Sequence, residues 1–177
     1  NGILGMVDLM KRSPLSEDQK EMVATIQDSG KALLSLINDI LDISKIEAGR
    51  IELESLPSDL AEVSESALEV ISANAAKHQQ SLILIQDPAL PSNLLLDGLR
   101  LRQILVNLVG NAIKFSPLAA EIVVRIEKLE RQVGDYCDVL IRVIDQGIGL
   151  SAEAQANIFA DFAQAEKSTS RIYGGTG

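Results

Sequence analysis

The segment 101–116, LRQILVNLVGNAIKFS, constrains the fold of this chain more than any other stretch. Its apolar residues recur at helical spacing, which predicts a helix with one stripe facing a core: Leu101, Ile104, Leu105, Leu108, Val109 and Ala112. A second stripe carries Asn107, Asn111 and Lys114, which the same spacing places on one helix face. Neutral amide oxygens are suitable ligands for Mg²⁺, and a lysine beside them suits phosphate. The helix therefore predicts a nucleotide site that residues further along the chain complete.

The motif DQGIG at 145–149 follows a predicted strand and fits the base end of such a site. Asp145 can accept a hydrogen bond from the exocyclic amine of adenine, whereas guanine offers a carbonyl there, so we expect a preference for ATP. Gly147 and Gly149 allow the backbone to approach a flat ring closely because they have no side chain. The same residues also occur in ordinary turns, so the motif alone does not distinguish a nucleotide site from a simple turn.

The last stretch of the chain offers groups for phosphate. Residues 163–173 are polar and lack periodicity, which predicts a loop long enough to act as a lid. Arg171 in this loop is a candidate contact for the terminal phosphate, and a solvated lid residue is the alternative interpretation. The backbone amides that follow can bind an anion; they belong to Gly174, Gly175, Thr176 and Gly177. The sequence contains no G-x-x-x-x-G-K-[ST] motif and no Ser-His-Asp set, so a P-loop protein and a triad hydrolase are excluded.

The N-terminal part of the chain predicts a helical hairpin. A short helical segment ends before Pro14, and Ser16 with Gln19 has the spacing of a capping box for a helix that continues to about residue 48. Gly49 then favours a stop. The apolar stripe of this long helix is too wide to be buried within one hairpin. We therefore expect a second copy to complete a four-helix dimer, and the alternative is a long core helix of one globular domain.

Past Gly49 the pattern changes to that of a compact mixed domain. The predicted elements are a strand over 51–54, a turn at 56–58, a helix over 59–77, strands over 81–86 and 93–96, and a hairpin of strands over 121–129 and 136–144 that turns at Gly134. The expected fold class is α+β, with a helical hairpin over residues 1–49 and a second domain over 50–177.

Composition excludes several classes of function. A formal net charge of −9 argues against nucleic acid as a partner. No apolar run approaches the ~20 residues that span a bilayer, so we expect no membrane contact by this segment. His78 is the only histidine and lies in a polar link, without neighbours that could complete a metal site. Cys137 is the only cysteine, and its alternating apolar surroundings predict a small core residue rather than a reactive thiol.

Four blocks of the sequence resemble, in the family's order, those of the sensor histidine kinases of two-component signalling, and more closely the hybrid type. LRQILVNLVGNAIKFS resembles the N box, DQGIGL the first glycine box, IFADFAQAEKSTSR the F box and lid, and GGTG the second glycine box. NGILGMVDLM and LLSLINDILDISKIEAGRIELE resemble the family's dimerisation hairpin. The resemblance implies a helical dimerisation and phosphotransfer hairpin followed by an α/β sandwich that binds ATP, of the type shared with gyrase and heat-shock chaperones.

The resemblance also implies roles for the residues of the predicted helix. Asn111 would hold Mg²⁺ against the phosphates, and Asn107 would stand beside it. Lys114 would touch phosphate, and Phe115 would lie along the nucleotide. ATP and Mg²⁺ are the implied cofactors.

Outside that helix, the resemblance implies that Asp145 reads the adenine amine while Gly147 and Gly149 keep that wall of the site thin. Arg171 would neutralise charge on the γ-phosphate, and together with Asn107 and Lys114 it forms the expected catalytic set. The remaining residues would cradle the phosphates: Gly174, Gly175, Thr176 and Gly177.

The sequence departs from the family pattern at both ends. The family's phosphoacceptor histidine stands in an H-E-x-R-T-P motif ahead of the segment that Asn1 begins; that motif is absent, and His78 lies in the wrong domain to replace it. The second glycine box stops at Gly177, before its L-G-L continuation. We therefore expect a chain that is truncated at both ends and does not phosphorylate itself.

For the parent protein the resemblance implies transfer of the ATP γ-phosphate to a histidine and relay to a receiver aspartate. The implied partners are a second copy of the chain and the receiver domain of a response regulator. This segment would be cytoplasmic, and anchoring of the parent in the inner membrane stays open.

Two other functions remain open. The domain could bind ATP or a partner as a sensing or scaffold module without phosphoryl transfer. It could also be another ATPase of the same fold, but such enzymes are expected to have a glutamate as general base where Asn107 stands, and to lack the helical hairpin.

Overall fold

The computed structural model describes residues 2–50, 52–134 and 136–157. The chain divides into two compact units, Asn1–Glu52 and Leu53–Gly177. The first unit consists of helices, and the second combines helices with strands. The predicted fold class, a helical hairpin followed by a mixed α/β domain, is confirmed.

The first unit contains helices α1, Gly2–Met10, and α2, Glu17–Glu47. The predicted capping box opens α2, because the Ser16 hydroxyl accepts from the Gln19 N–H at 3.3 Å and the Gln19 side chain accepts from the Ser16 N–H at 3.0 Å. At the other end Gly49 has a φ of +62°, a conformation that suits glycine. Its N–H donates to the carbonyl of Ile46 at 2.9 Å, and the helix stops as predicted.

The two helices pack closely but leave a wide apolar surface. A Cβ placed on Gly30 would lie 2.8 Å from Leu4 Cδ2, so the Leu4 side chain would have to shift to admit one. Val7 and Val23 are buried between the helices, with 4% and 2% of their surface exposed. Many larger apolar side chains are exposed: Ile3, Met6, Leu9, Met22, Ile26, Leu33, Ile37, Ile40, Leu41 and Ile46. Among the described residues, this hairpin therefore leaves more apolar side chains exposed than it buries.

The described residues of the second unit form two sheets and three helices. The described strands are β1, Leu56–Ser58; β2, Ser81–Gln86; β3, Leu94–Leu96; β4, Glu121–Val133; and β5, Tyr136–Ile144. The helices are α3, Leu60–Lys77; α4, Gly98–Phe115; and α5, Ala152–Asn157. Strands β2, β4 and β5 form one sheet in that order, with β2 parallel and β5 antiparallel to β4, and β1 pairs with β3 antiparallel.

Helices α3 and α4 pack against the larger sheet around an aliphatic core. Alternate residues of β4 face this core, and Ile122, Val124 and Ile126 are at most 1% exposed. From the helices, the core takes Leu60, Ala67, Ile71, Ala75, Leu105, Val109, Ala112 and Ile113. One stripe of α4 is thus buried, and its opposite face is free to carry chemistry.

Two predictions, a strand over 51–54 and a turn at 56–58, are wrong for the residues that the structure describes, which do not include residue 51. Residues 52–54 lie outside the strands, and the N–H of Glu54 donates instead to the Asp97 carboxylate at 3.1 Å. The predicted turn at 56–58 is strand β1, in which Pro57 stands opposite Leu95. A two-stranded sheet has a free edge on each strand, so a proline without an N–H is tolerated there.

The structure also corrects the prediction for Cys137, which is half-buried rather than a core residue. Strand β2 pairs with β4 only as far as Ile126, and Cys137 pairs with Gln132 beyond that point, where the described sheet has only two strands. His78 ends α3, with its Nδ1 2.9 Å from the carbonyl of Asn74, as expected for a polar turn. In the described part of the chain, no helix is long and apolar enough to cross a membrane.

Candidate functional site

Helix α4 is fixed at its start by Asp97, its N-cap residue. One carboxylate oxygen accepts from the Arg100 N–H at 2.9 Å, and the other accepts from the Glu54 N–H at 3.1 Å. These backbone donors, with that of Arg100 the stronger, lower the pKa of the Asp97 carboxyl below its ordinary value of 3.8. Asp97 is therefore ionised at neutral pH, where its charge also suits the positive end of the helix.

The middle of α4 separates the core from the candidate site. Leu105, Val109 and Ala112 face the core and are at most 5% exposed. Asn107 and Asn111 are both exposed. Because these two lie one helical turn apart, their amide oxygens can approach one ion together, and oxygen donors of this kind fit Mg²⁺.

The end of α4 carries a cation and an aromatic ring in contact. Lys114 and Phe115 are both half-buried, and the Lys114 Nζ lies 5.0 Å from the centre of the Phe115 ring. This distance is that of a cation–π interaction. The pair gives the helix end a positive charge held beside a flat apolar surface.

The loop after β5 comes directly against this end of α4. A Cβ placed on Gly147 would lie 2.9 Å from the Phe115 carbonyl oxygen and 2.7 Å from Asp145 Oδ1, closer than real Cβ atoms approach. The Gly147 N–H donates to the same Asp145 oxygen at 2.7 Å. Gly149 follows with a φ of +69°. The contact brings Asp145 and Gly147 to the helix end that carries Lys114 and Phe115.

The other predicted site residues lie outside the residues that the structure describes. They are Arg171, Gly174, Gly175, Thr176 and Gly177, and the block that resembles the F box and lid, IFADFAQAEKSTSR, lies there as well. The roles assigned to them remain predictions.

A side chain that the sequence does not single out lies behind the same end of α4. Gln80 belongs to the polar segment 77–80, whose sequence predicts a solvated link, but only 7% of its surface is exposed. Its side-chain nitrogen donates to three backbone carbonyls, those of Ile113, Ser116 and Pro117. Pro117 has no N–H to donate to the helix, so the sequence indicates that another donor is needed, but it does not show which residue supplies it.

A separate cleft of about 520 Å³ lies between α3 and β2, and none of the predicted site residues that the structure describes lines it. Its apolar walls come from Leu68, Leu82 and Leu84, and Glu65 and Glu69 stand at its rim. The candidate site is instead the exposed surface where α4 meets the loop after β5.

Two family models match the chain. The His Kinase A (phospho-acceptor) domain matches residues 1–49, and the histidine kinase-, DNA gyrase B- and HSP90-like ATPase matches residues 96–177. The second match includes α4 and the loop after β5.

Known proteins are similar to the chain over its whole length. Sensor protein GacS of Pseudomonas syringae pv. syringae is 42% identical over 177 residues, which are 100% of this chain and 19% of that protein. Hybrid signal transduction histidine kinase A of Dictyostelium discoideum is 36% identical over 184 residues, covering 100% of this chain and 8% of that protein. The chain thus spans less than a fifth of the length of either relative.

Among solved structures, full-length ShkA in complex with AMPPNP matches with a TM-score of 0.74 and 34% identity, over 92% of this chain and 34% of that one. The histidine kinase ThkA, solved with the response regulator protein TrrA, has a TM-score of 0.63 at 21% identity, over 92% of this chain and 46% of that one, and supports the fold. Both domain models match in order, and hybrid signal transduction histidine kinase A is similar over the whole of this chain. The chain therefore belongs to the sensor histidine kinase family.

Proposed function

We propose that this chain is the ATP-binding catalytic core of a sensor histidine kinase that transfers the ATP γ-phosphate to a histidine. The observation that carries the proposal is the contact of the Asp145–Gly149 loop with the end of α4 at Phe115. In the proposal, that contact brings the Asp145 carboxylate, which suits adenine, to the helix end that carries Lys114, which suits phosphate. We propose domains over 1–49 and 50–177, and the acceptor histidine must come from outside residues 1–49, which contain none.

In this proposal the nucleotide spans the surface between the loop and α4. The Asp145 carboxylate accepts from the exocyclic amine of adenine, and Gly147 keeps the wall thin enough for the ring to reach it. Phe115 lies along the nucleotide, and Lys114 offsets phosphate charge. Gly149 allows the loop to turn away from the ring because its backbone is left-handed.

Asn111, with Asn107 beside it, would hold Mg²⁺ through amide oxygens that leave the charge of the ion intact. When bound, Mg²⁺ offsets the negative charge of the phosphates. The exposed, adjacent positions of the two side chains on α4 support this assignment. An asparagine cannot serve as a general base, so Asn107 favours transfer to a protein acceptor over hydrolysis of ATP.

The chemical step is in-line transfer. A histidine ring nitrogen attacks the γ-phosphorus, the bond from that phosphorus to the β–γ bridging oxygen breaks, and ADP leaves with the electron pair. Lys114 and Arg171 offset the charge on the phosphoryl group as it moves. Gly174, Gly175, Thr176 and Gly177 would bind phosphate through their backbone amides.

We further propose two partners. A second copy would cover the exposed apolar side chains of α1 and α2, and a response-regulator receiver domain would accept the phosphate from the histidine. ThkA, which shares the fold, was solved with a response regulator, and this supports the second partner. The segment would act in the cytoplasm, without nucleic acid and without membrane contact.

Binding of Mg²⁺-ADP to the 177-residue chain, measured by calorimetry, tests the site. We expect wild-type protein to bind ADP at least ~10-fold more tightly than GDP, because Asp145 can accept from adenine but meets a carbonyl on guanine. Asp145→Asn should remove most of this preference, since an amide can also donate to the guanine carbonyl.

Equal affinity for ADP and GDP, or an Asp145→Asn variant that keeps the adenine preference, would contradict the assignment of Asp145. Circular dichroism of both proteins serves as the control for folding. A wild-type chain that is folded and binds neither nucleotide would contradict the proposed function of the described surface.

A further inference from the structure

The end of α4 lacks one of the donors that would normally complete a helix. A helical carbonyl accepts from the N–H four residues later, and for the Ile113 carbonyl that residue is Pro117, which has no N–H. The preceding carbonyl is paired, because the Ser116 N–H donates to Ala112 at 3.1 Å. A carbonyl buried without a partner is costly, so this helix end needs a donor from another element.

Gln80 supplies that donor. It precedes β2 in sequence, and its side-chain nitrogen lies 3.1 Å from the Ile113 carbonyl, 3.3 Å from that of Ser116 and 3.0 Å from that of Pro117. Two backbone bonds hold the segment around Gln80 against the same turn: Ala119 N–H to His78 carbonyl at 3.1 Å, and Ser81 N–H to Ala120 carbonyl at 3.0 Å.

The orientation of the Gln80 amide is fixed by its surroundings. Exchanging the oxygen and the nitrogen would place the oxygen against three carbonyl oxygens, which repel it. In the present orientation the oxygen is buried and has no hydrogen-bond partner among the described residues. An apolar side chain would avoid that cost, so the bonds from the nitrogen to the end of α4 are what the glutamine contributes.

The carbonyls that Gln80 holds flank Lys114 and Phe115. The Phe115 carbonyl is also the atom that Gly147 approaches, so a shift of the last turn of α4 would move the lysine, the ring and the contact with the loop together. We propose that Gln80 is a positioning residue of the nucleotide site, whose amide replaces the N–H that Pro117 lacks and fixes the last turn of α4 against the loop after β5. The proposal rests on the proposed function of that surface as an ATP site.

Gln80→Met tests the proposal, because methionine has a similar length and fills the same buried space but cannot donate. We expect the dissociation constant for Mg²⁺-ADP to rise about 10-fold, since a small displacement of positioning groups is expensive in affinity. Amide hydrogen exchange over residues 113–118 should accelerate in the free protein. A folded variant with wild-type affinity would overturn the proposal.

Gln86→Met is the matched control. Gln86 lies at the far end of β2, and its side-chain nitrogen is also buried without a partner among the described residues, so the substitution removes a buried amide without touching α4. We expect wild-type affinity for this variant. Equal weakening by both substitutions, or a Gln80→Met variant that melts earlier but binds normally, would show a purely structural role and overturn the proposal.

The exchange measurement separates this proposal from the proposed function. If wild-type protein did not bind ADP, the proposed function would fail, and so would the role of Gln80 in positioning a nucleotide. If wild-type protein binds ADP but Gln80→Met leaves hydrogen exchange over residues 113–118 unchanged, only the role of Gln80 is overturned. If Gln80→Met does not fold, Gln80→Asn, which keeps the amide but shortens its reach, is expected to weaken binding, and wild-type affinity would again overturn the proposal.

Discussion

At Gly147 the loop after β5 comes so close to α4 that a side chain has no room between them. The nearest atoms to an added Cβ are the Asp145 carboxylate oxygen at 2.7 Å and the Phe115 carbonyl oxygen at 2.9 Å. Neither can give way easily, because one is backbone at the end of a helix and the other accepts the hydrogen bond of Gly147 itself. A single methyl group would therefore separate the two halves of the candidate site.

We expect Gly147→Ala to raise the dissociation constant for Mg²⁺-ADP by ~10-fold or more, because the loop must shift away from α4. Gly5→Ala is the matched control, since a Cβ on that glycine of α1 meets nothing within 4 Å and α1 carries none of the proposed site residues. The control should keep its affinity and gain about 0.5–1 kcal/mol in free energy of unfolding, as alanine replaces glycine within a helix. Calorimetry and urea unfolding measure the two quantities, and a Gly147→Ala variant with normal affinity would show that the contact is not part of the site.

The residues of the site could be predicted to different extents. Helical spacing alone placed Asn107 and Asn111 on the exposed face of α4, because that period depends only on neighbouring residues. The role of Gly147 was predicted as a close approach to a nucleotide ring, whereas the structure shows a close approach to Phe115. Gln80 could not be predicted, because its partners lie more than thirty positions away in sequence. A polar residue before a strand has the same local pattern whether it is solvated or buried.

Among the elements, α4 is defined at both ends by groups from other parts of the chain. Asp97 ties its start to the segment before β1, and Gln80 holds its last turn. The predicted start at residue 101 missed the first turn, which begins at Gly98, because the apolar pattern does not extend to the N-cap. The error at β1 has a similar origin: a short strand containing proline is specified by its partner β3 and not by its own residues.

The cap of α4 gives the stability of the second unit a specific dependence on pH. The lowered pKa of Asp97 means that its ionised form is favoured in the folded state, so its contribution is present above the ordinary value of 3.8 and is lost as the pH falls toward the lower folded value. We expect wild-type protein to be more stable than Asp97→Asn at pH 7 and this difference to shrink below about pH 4. Urea unfolding at pH 7, 5 and 3 measures it, and a difference that is the same at all three pH values would contradict the expectation.

At the scale of the whole molecule, the hairpin of α1 and α2 exposes apolar side chains that water would not favour. Leu33 is 58% exposed and Ile40 51% exposed. Both belong to a heptad repeat in α2, formed by Met22, Ile26, Ser29, Leu33, Leu36, Ile40 and Ile43. Apolar residues at this spacing are typical of a helix that packs against others. Packing within the hairpin alone therefore does not explain why these positions are apolar.

We expect the chain to form a dimer that Leu33→Asp disrupts, because the substitution places a charge in the proposed interface. Leu118→Asp is the control, since Leu118 is 69% exposed but lies in the second unit. Sedimentation equilibrium over a range of concentrations measures the association. A monomeric wild-type chain, or equal weakening of the dimer by both substitutions, would contradict the proposal.

The parallel pairing of β2 with β4 has a consequence for how the second unit opens. Ser81 stands beside Glu121 and Gln86 beside Ile126, and the chain between these strands passes through β3 and the whole of α4. The helix that carries the candidate site is thus the crossover connection of the sheet, and α4 cannot be released without straining the pairing on both sides of it. A nucleotide bound to α4 should accordingly slow hydrogen exchange in β2 and β4, strands that it does not touch, because the same cooperative event exposes all three elements.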